Sequence, residues 1–195
     1  MKIMVYNIKG GQGKTDIALN IALTLGFNLL TNEPLSPVEL VLPAERFLKL
    51  KAKEVCPVLP DDFDLVFDFG GYLDDRAIVA LQQSDYVLVP VINEFKDVHT
   101  TVNFIQEIEA YNSKIIIIAN KTVRRKKGSD FNDIKNIMAE HYPDYPVFEI
   151  KQSRALPNLL TEKKSISEMV AEGGLKRYNY AAVKEQFDAI LEVLK

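Results

Sequence analysis

The segment Ile8-Lys9-Gly10-Gly11-Gln12-Gly13-Lys14-Thr15-Asp16 constrains this chain more than any other, because three glycines and a Gly-Lys-Thr triplet follow directly on an apolar run. That run, Lys2 to Asn7, reads as a buried strand, and Ile17 to Leu25 reads as a helix packed on both sides. The glycines therefore occupy a strand-to-helix turn, the context a phosphate loop requires. Glycines let backbone N–H groups close around phosphate oxygens. The helix start adds partial positive charge, Lys14 adds a full one, and the Thr15 hydroxyl suits magnesium. Gly10, Gly11, Gln12, Gly13, Lys14, Thr15 and Asp16 are thus expected to hold the phosphates of a nucleotide.

Further along, apolar runs alternate with helical stretches, the pattern of a mainly parallel, twisted sheet flanked by helices. Strands are expected at Asn28 to Thr31, Leu65 to Asp68, Tyr86 to Val91, Lys114 to Ala119 and Pro146 to Ile150. Helices are expected at Asp75 to Gln83, Val98 to Ala110, Phe131 to His141 and Tyr180 to Leu194. The stretch Pro34 to Pro60 carries five prolines and reads as irregular, with room for a short helix in Ala44 to Val55. At 195 residues and 47% hydrophobic, the chain suffices for one α/β domain over 1–195. A net charge of −3 argues against a protein that wraps nucleic acid over its whole surface, so any such contact is regional. Signal-peptide layout and membrane-length apolar runs are absent, which points to the cytoplasm.

Asp68 ends a buried strand and reads as the second magnesium residue beside Thr15, since magnesium keeps its waters and takes few carboxylates. Asn120 follows the most apolar run, where an amide can pair with adenine through its donor and acceptor. Val123 stands where guanine-reading Asn-Lys-x-Asp sequences need an aspartate, so adenine is favoured over guanine. Ser84-Asp85 reads as a hydrogen-bonding entrance to the strand that contains Pro90. His99 and His141 are isolated and receive no role, and the single Cys56 is too little for an iron–sulfur cluster.

The standard phosphate-loop pattern needs a glycine where this chain has Ile8. The variant Lys-Gly-Gly-x-Gly-Lys-Thr is complete from Lys9 to Thr15, and in it the chain resembles the ParA/MinD family of dimeric ATPases, P-loop proteins with a deviant Walker A motif. The resemblance implies ATP and Mg2+ as ligands, a homodimer formed with ATP, and a Lys9 that reaches the nucleotide of the other subunit. It also implies that Gly70, in Asp68-Phe69-Gly70-Gly71, brings a backbone amide near the terminal phosphate. Relatives read Asp-x-Asp-Pro at the first switch, where this chain has Thr31-Asn32-Glu33-Pro34. Glu33 then stands where a carboxylate would orient the attacking water, catalytic alongside Lys9 and Lys14.

Arg124-Arg125-Lys126-Lys127, with Lys151, Arg154, Lys163, Lys164, Lys176 and Arg177, is the basic inventory that ParA-like dimers would use to hold DNA through its phosphates. By that resemblance a separate centromere-binding protein would stimulate hydrolysis, in plasmid or chromosome segregation at the nucleoid. The alternative is an ATP-dependent dimerisation switch that positions or assembles proteins. The last helix is mixed in charge with an apolar stripe suited to a core, so membrane docking is not expected.

Overall fold

The apolar runs form β1 (Lys2–Asn7), β2 (Asn28–Thr31), β3 (Phe47–Lys49), β4 (Leu65–Gly70), β5 (Tyr86–Val91), β6 (Ile115–Thr122) and β7 (Val147–Lys151) in the computed structural model, which describes residues 1–195. All pair in parallel in the order β3-β2-β4-β1-β5-β6-β7. Seven helices connect and cover them: α1 (Lys14–Leu25), α2 (Asp75–Gln83), α3 (Phe95–Ile108), α4 (Asp130–His141), α5 (Ala155–Glu162), α6 (Ile166–Ala171) and α7 (Gly174–Val193).

Because successive residues of a strand face opposite sides, a strand covered on both faces must be apolar throughout and must feed two cores. β1 does this: Ile3 and Val5 join the core beneath α1, α5, α6 and α7, while Met4 and Tyr6 join the one beneath α2, α3 and α4. β1 lies between β4 and β5, with the chain running outward on either side, so the turn after β1 sits where the strand order reverses. In parallel sheets that is where ligands bind.

Most expected elements are present with small shifts. α3 starts at Phe95 instead of Val98, and α7 at Gly174 instead of Tyr180. α5 and α6 were not expected at all. Within Ala44 to Val55, where the sequence left room for a short helix, the chain forms one 3-10 turn (Ala44–Arg46) and strand β3. The cause is tertiary. Phe47, Leu48 and Lys49 pair with Leu29, Leu30 and Thr31, completing the open edge of β2, and Arg46 donates to the carbonyls of Ala22 and Phe27 (2.9 and 2.6 Å).

Two structural expectations hold in detail. The Lys2 N–H donates to Asp85 Oδ2 (2.8 Å), closing the entrance of β5. The stripe of α7 is core, with Tyr180, Val183, Phe187, Ile190 and Leu191 buried. No helix is long and apolar enough to cross a membrane.

Phe187→Ala should therefore lower unfolding free energy by about 3–5 kcal/mol in urea titrations. Leu175→Ala, on the same helix but 79% exposed, should stay within about 0.5 kcal/mol of the parent. Equal costs would mean that α7 does not pack as described.

Candidate nucleotide site

The loop between β1 and α1 is shaped by what its carbonyl oxygens receive. Lys14 Nζ donates to the Lys9 carbonyl (2.9 Å), and Gln12 Nε2 to that of Gly10 (3.3 Å). Lys121 Nζ reaches the Gly11 carbonyl (3.1 Å), and Asn120 Nδ2 that of Gln12 (2.7 Å). The Gly13 carbonyl takes the Ile17 N–H as the first helical bond (3.2 Å). With the carbonyls engaged, the N–H groups of Gly10, Gly11, Gln12 and Gly13 have no partner in the chain. Four free donors at a helix start make an anion cradle.

Two glycines sit where a side chain would meet a neighbour, and one of them is also left-handed. Gly13 is left-handed (φ 82°), and a Cβ there would stand 2.4 Å from Asn120 Nδ2. A Cβ at Gly70 would stand 2.4 Å from Glu33 Oε1 and 3.0 Å from Lys14 Cε, so a larger residue there would push the ends of both side chains aside.

Beneath the loop lies the charge cluster of the site. Lys14 is buried, and burial lowers its pKa against the opposing pull of Asp68 and Glu33. Asp68 is fully buried, and its pKa is raised to about 6 by that burial, opposed by the Thr15 hydroxyl, Lys14 and the Thr31 hydroxyl. Thr15 Oγ1 donates to Asp68 Oδ2 (2.9 Å), and so does Thr31 Oγ1 (3.3 Å). Asp68 Oδ1 has no partner. A buried carboxylate oxygen left open beside a threonine hydroxyl fits a hard cation that prefers oxygen ligands. Thr15 and Asp68 are the residues that would hold Mg2+.

Gly10, Gly11, Gly13, Lys14, Thr15, Asp16 and Glu33 line one cleft of about 470 Å³, closed on its other sides by Leu35, Ser36, Pro37 and Lys121. The expected phosphate residues other than Gln12, which is fully buried, are thus brought together with Glu33, and Asp16 is held above the usual carboxylate pKa by burial. Another cleft, about 680 Å³, lies between α3 and α4, and both histidines line it.

Two expected residues are placed differently from what their proposed roles need. Asn120 is buried, with Nδ2 on the Gln12 carbonyl and Oδ1 accepting the Lys121 N–H (2.9 Å), so here it braces the loop. Lys9 is directed to its own subunit, with Nζ 3.2 Å from Asp97 Oδ1.

Four site residues were not anticipated. Asn7 accepts the Lys9 N–H on Oδ1 (2.9 Å) while its amide donates to the Pro90 carbonyl (2.8 Å). Asn32 clamps Gly70 twice, accepting its N–H (3.0 Å) and donating to its carbonyl (2.9 Å), and so ties the segment after β2 to the end of β4. Lys121 is left-handed (φ 53°) at an irregularity of the β6–β7 pairing, which turns its side chain back over the loop. Asp97 accepts from Gln12 Nε2 (2.7 Å) besides pairing with Lys9. The Asn-Lys sequence near the end of β6 carried a signal for Lys121; nothing in the sequence ties Asn32 or Asp97 to the loop.

Asp68 gives a pH test. Its carboxyl binds a proton more tightly in the folded state (about 6) than in the unfolded one (3.8), so its ionisation destabilises the fold as pH rises between those values and above. In chelator, without nucleotide, Asp68→Asn should raise stability at pH 7.5 by about 1–2 kcal/mol, part of the gain being lost because Lys14 loses an anion. The gain should vanish by about pH 4 in thermal melts. A variant less stable than the parent at pH 7.5 would contradict the buried, open carboxylate.

No protein-family model matches the chain, and neither does any curated protein by sequence. Solved structures do match. McdA from Cyanothece aligns over 100% of this chain in its apo form (TM-score 0.71, 14% identity, 99% of that chain) and in a complex with ATP (TM-score 0.68, 15% identity, 96% of that chain). The septum site-determining protein MinD from Pyrococcus horikoshii, complexed with Mg-ADP, aligns over 98% of this chain and 97% of its own (TM-score 0.64, 14% identity). A ParA family ATPase from Chlorobium tepidum aligns over 95% and 98% (TM-score 0.59, 15% identity). The chain therefore has, over nearly its whole length, the single-domain P-loop fold shared by McdA, MinD and ParA.

Proposed function

We propose that this chain is a ParA/MinD-type ATPase that binds ATP with magnesium, forms a homodimer across the bound nucleotides and hydrolyses ATP to reset. The observation that carries the reading is the open Asp68 Oδ1 beside Thr15 and Lys14, under a loop with four free N–H groups. Thr15 and Asp68 would hold the magnesium ion, whose chemistry when bound would be neutralisation of negative charge on the phosphates. The chain's own residues do the rest. The loop amides and Lys14 bind the phosphates. Glu33, against Gly70 and facing Lys14, lies in the same cleft to orient the attacking water. Asn32 holds Gly70 so that both switches move as one. Because Thr31 gives its hydroxyl to Asp68 where relatives have a carboxylate, turnover is slow and depends on a partner.

Labelled-ATP titration tests the core of this. Lys14→Ala should lose binding by at least about a hundredfold, since the phosphates lose the buried cation that faces them. Glu33→Gln should bind ATP and magnesium like the parent yet hydrolyse about a hundredfold more slowly, accumulating a dimer. Unchanged turnover in Glu33→Gln would assign the water to another group.

For the output we infer DNA held through its phosphates, the use that a segregation ATPase makes of the ATP-bound dimer, with a centromere-binding partner. Arg124, Lys126 and Lys127 are exposed without acidic partners, and Arg124 shares a cleft of about 450 Å³ with Lys151 at the ends of β6 and β7. Not all of the basic inventory is free: Arg125 pairs with Asp130 (3.1 Å) and Asp133, and Lys164 and Lys176 pair with Glu172 (2.6 and 2.7 Å). Replacing Arg124, Lys126 and Lys127 by Ala should flatten the salt slope of ATP-dependent DNA binding by up to about 3 per subunit, at about 0.9 per phosphate. DNA-independent ATPase should be unchanged. Absence of DNA binding by the ATP-bound parent at low salt would favour the protein-positioning switch.

A further inference from the structure

Lys9 is the residue that the proposed dimer needs on the far side of the interface, and in this single subunit it is already engaged. Its Nζ lies 3.2 Å from Asp97 Oδ1. The pair is not a loose surface contact: the Asp97 side chain is 14% exposed, and its other oxygen accepts Gln12 Nε2 at 2.7 Å. Gln12 is itself fixed, fully buried, with Oε1 accepting the Ile92 N–H (2.8 Å) and its carbonyl holding Asn120. Asp97 therefore cannot follow Lys9 outward. It belongs to the first turn of α3, whose inner face, through Val98, Thr101, Val102 and Ile105, is locked into the core.

We propose that Asp97 is a positioning residue that parks Lys9 in its own subunit until two nucleotide-loaded subunits meet. The proposal rests on the reading that Lys9 serves the other subunit's nucleotide. Release does not orphan either group. Lys9 exchanges one carboxylate for a phosphate, while Asp97 keeps Gln12 and the α3 N-terminus. A partly buried pair of this kind biases the Lys9 position by up to about fivefold. Both subunits must release Lys9 on dimerisation, so the bias enters twice, up to about 25-fold in the dimer dissociation constant. The pair thus raises the concentration of loaded subunits needed for assembly and leaves nucleotide binding by the monomer unaffected.

Asp97→Asn keeps an acceptor for Gln12 while removing the charge, and Asp97→Glu keeps the charge. Sedimentation velocity with Mg2+ and a non-hydrolysable ATP analogue, on the full chain, reads the dimer constant. Asp97→Asn should tighten it about 5- to 25-fold and Asp97→Glu much less. Lys9→Ala and the Lys9→Ala/Asp97→Asn double variant should be equally impaired, because the bias acts only through Lys9. A second readout needs no dimer: limited acylation of the nucleotide-free monomer, followed by peptide mass spectrometry, should modify Lys9 severalfold faster in Asp97→Asn, with the other lysines unchanged. Lys9 acylation at the parent rate overturns the parking. Faster acylation with a parent-like dimer constant, while Lys9→Ala fails to dimerise, overturns its effect on assembly alone. If Lys9→Ala dimerises like the parent, the cross-subunit reading itself falls and the brake falls with it. Thermal melts of each variant separate these results from misfolding.

Discussion

A peptide loop can present its N–H groups to an anion only if something else occupies its carbonyl oxygens, because free carbonyls would face the same charge and repel it. In this chain that condition is met from several directions at once. Lys14 and Gln12 fold back from within the loop, and Asn120 and Lys121 reach in from the end of β6. Asn7 fixes the loop's first amide from below. The loop is thus a product of three adjacent strands, β1, β5 and β6, whose order in the sheet places their ends side by side. The buried isoleucines of β6 and the alternating residues of β1 matter to the site chiefly because they hold those ends in register.

That dependence explains what could be read from the sequence. The loop residues, the strand that precedes them and Asp68 are local signals: spacing, glycine content and an acid at a strand end. The central strands are long apolar runs that only a doubly covered sheet accommodates. β3 and α5 are different, since their identity comes from partners far along the chain. Phe47 to Lys49 are extended because β2 offers an unpaired edge, and Arg46 is drawn to carbonyls of α1 and the turn after it. Among site residues the same division applies. Asn32 and Asp97 are ordinary polar residues at loop and helix starts, and only the fold brings one to Gly70 and the other to Lys9. The basic loop shows the opposite error, for its sequence has four cations in a row while the fold spends Arg125 on the acidic first turn of α4.

The altered first switch becomes intelligible once its contacts are counted as chemistry. Thr31 holds Asp68 through a hydroxyl and accepts the Glu33 N–H, so this position orients the buried carboxylate and starts the turn. Asn32 joins the two switches through a paired amide contact that a carboxylate could not make in both directions, since it has no N–H to donate. Against the Asp-x-Asp-Pro pattern, a hydroxyl (Thr31) thus stands for the first aspartate and a longer carboxylate (Glu33) for the second, while Asn32 between them adds a neutral link to Gly70. Of Thr31, Asn32 and Glu33, only Glu33 carries a carboxylate, and it lines the cleft.

Without a ligand, this cluster is electrostatically unsatisfied. Lys14 is buried with its ammonium on one backbone carbonyl, and Asp68 is buried with one oxygen open; burial shifts both toward their neutral forms despite their mutual attraction. The cost is borne by the folded state, which is only marginally stable in any protein of this size. A polyanion bound with a divalent cation supplies the missing partner to each: phosphate oxygens to Lys14 and the loop amides, positive charge to Asp68. Ligand binding and fold stability are then coupled through the same atoms, and stabilisation grows with the logarithm of ligand concentration over its dissociation constant. The strand ends that carry the switches are held in part by this cluster, Thr31 through Asp68 and Gly70 through Asn32. A change in what lies against Lys14 and Asp68 is therefore transmitted to both switch segments by bonds already in place.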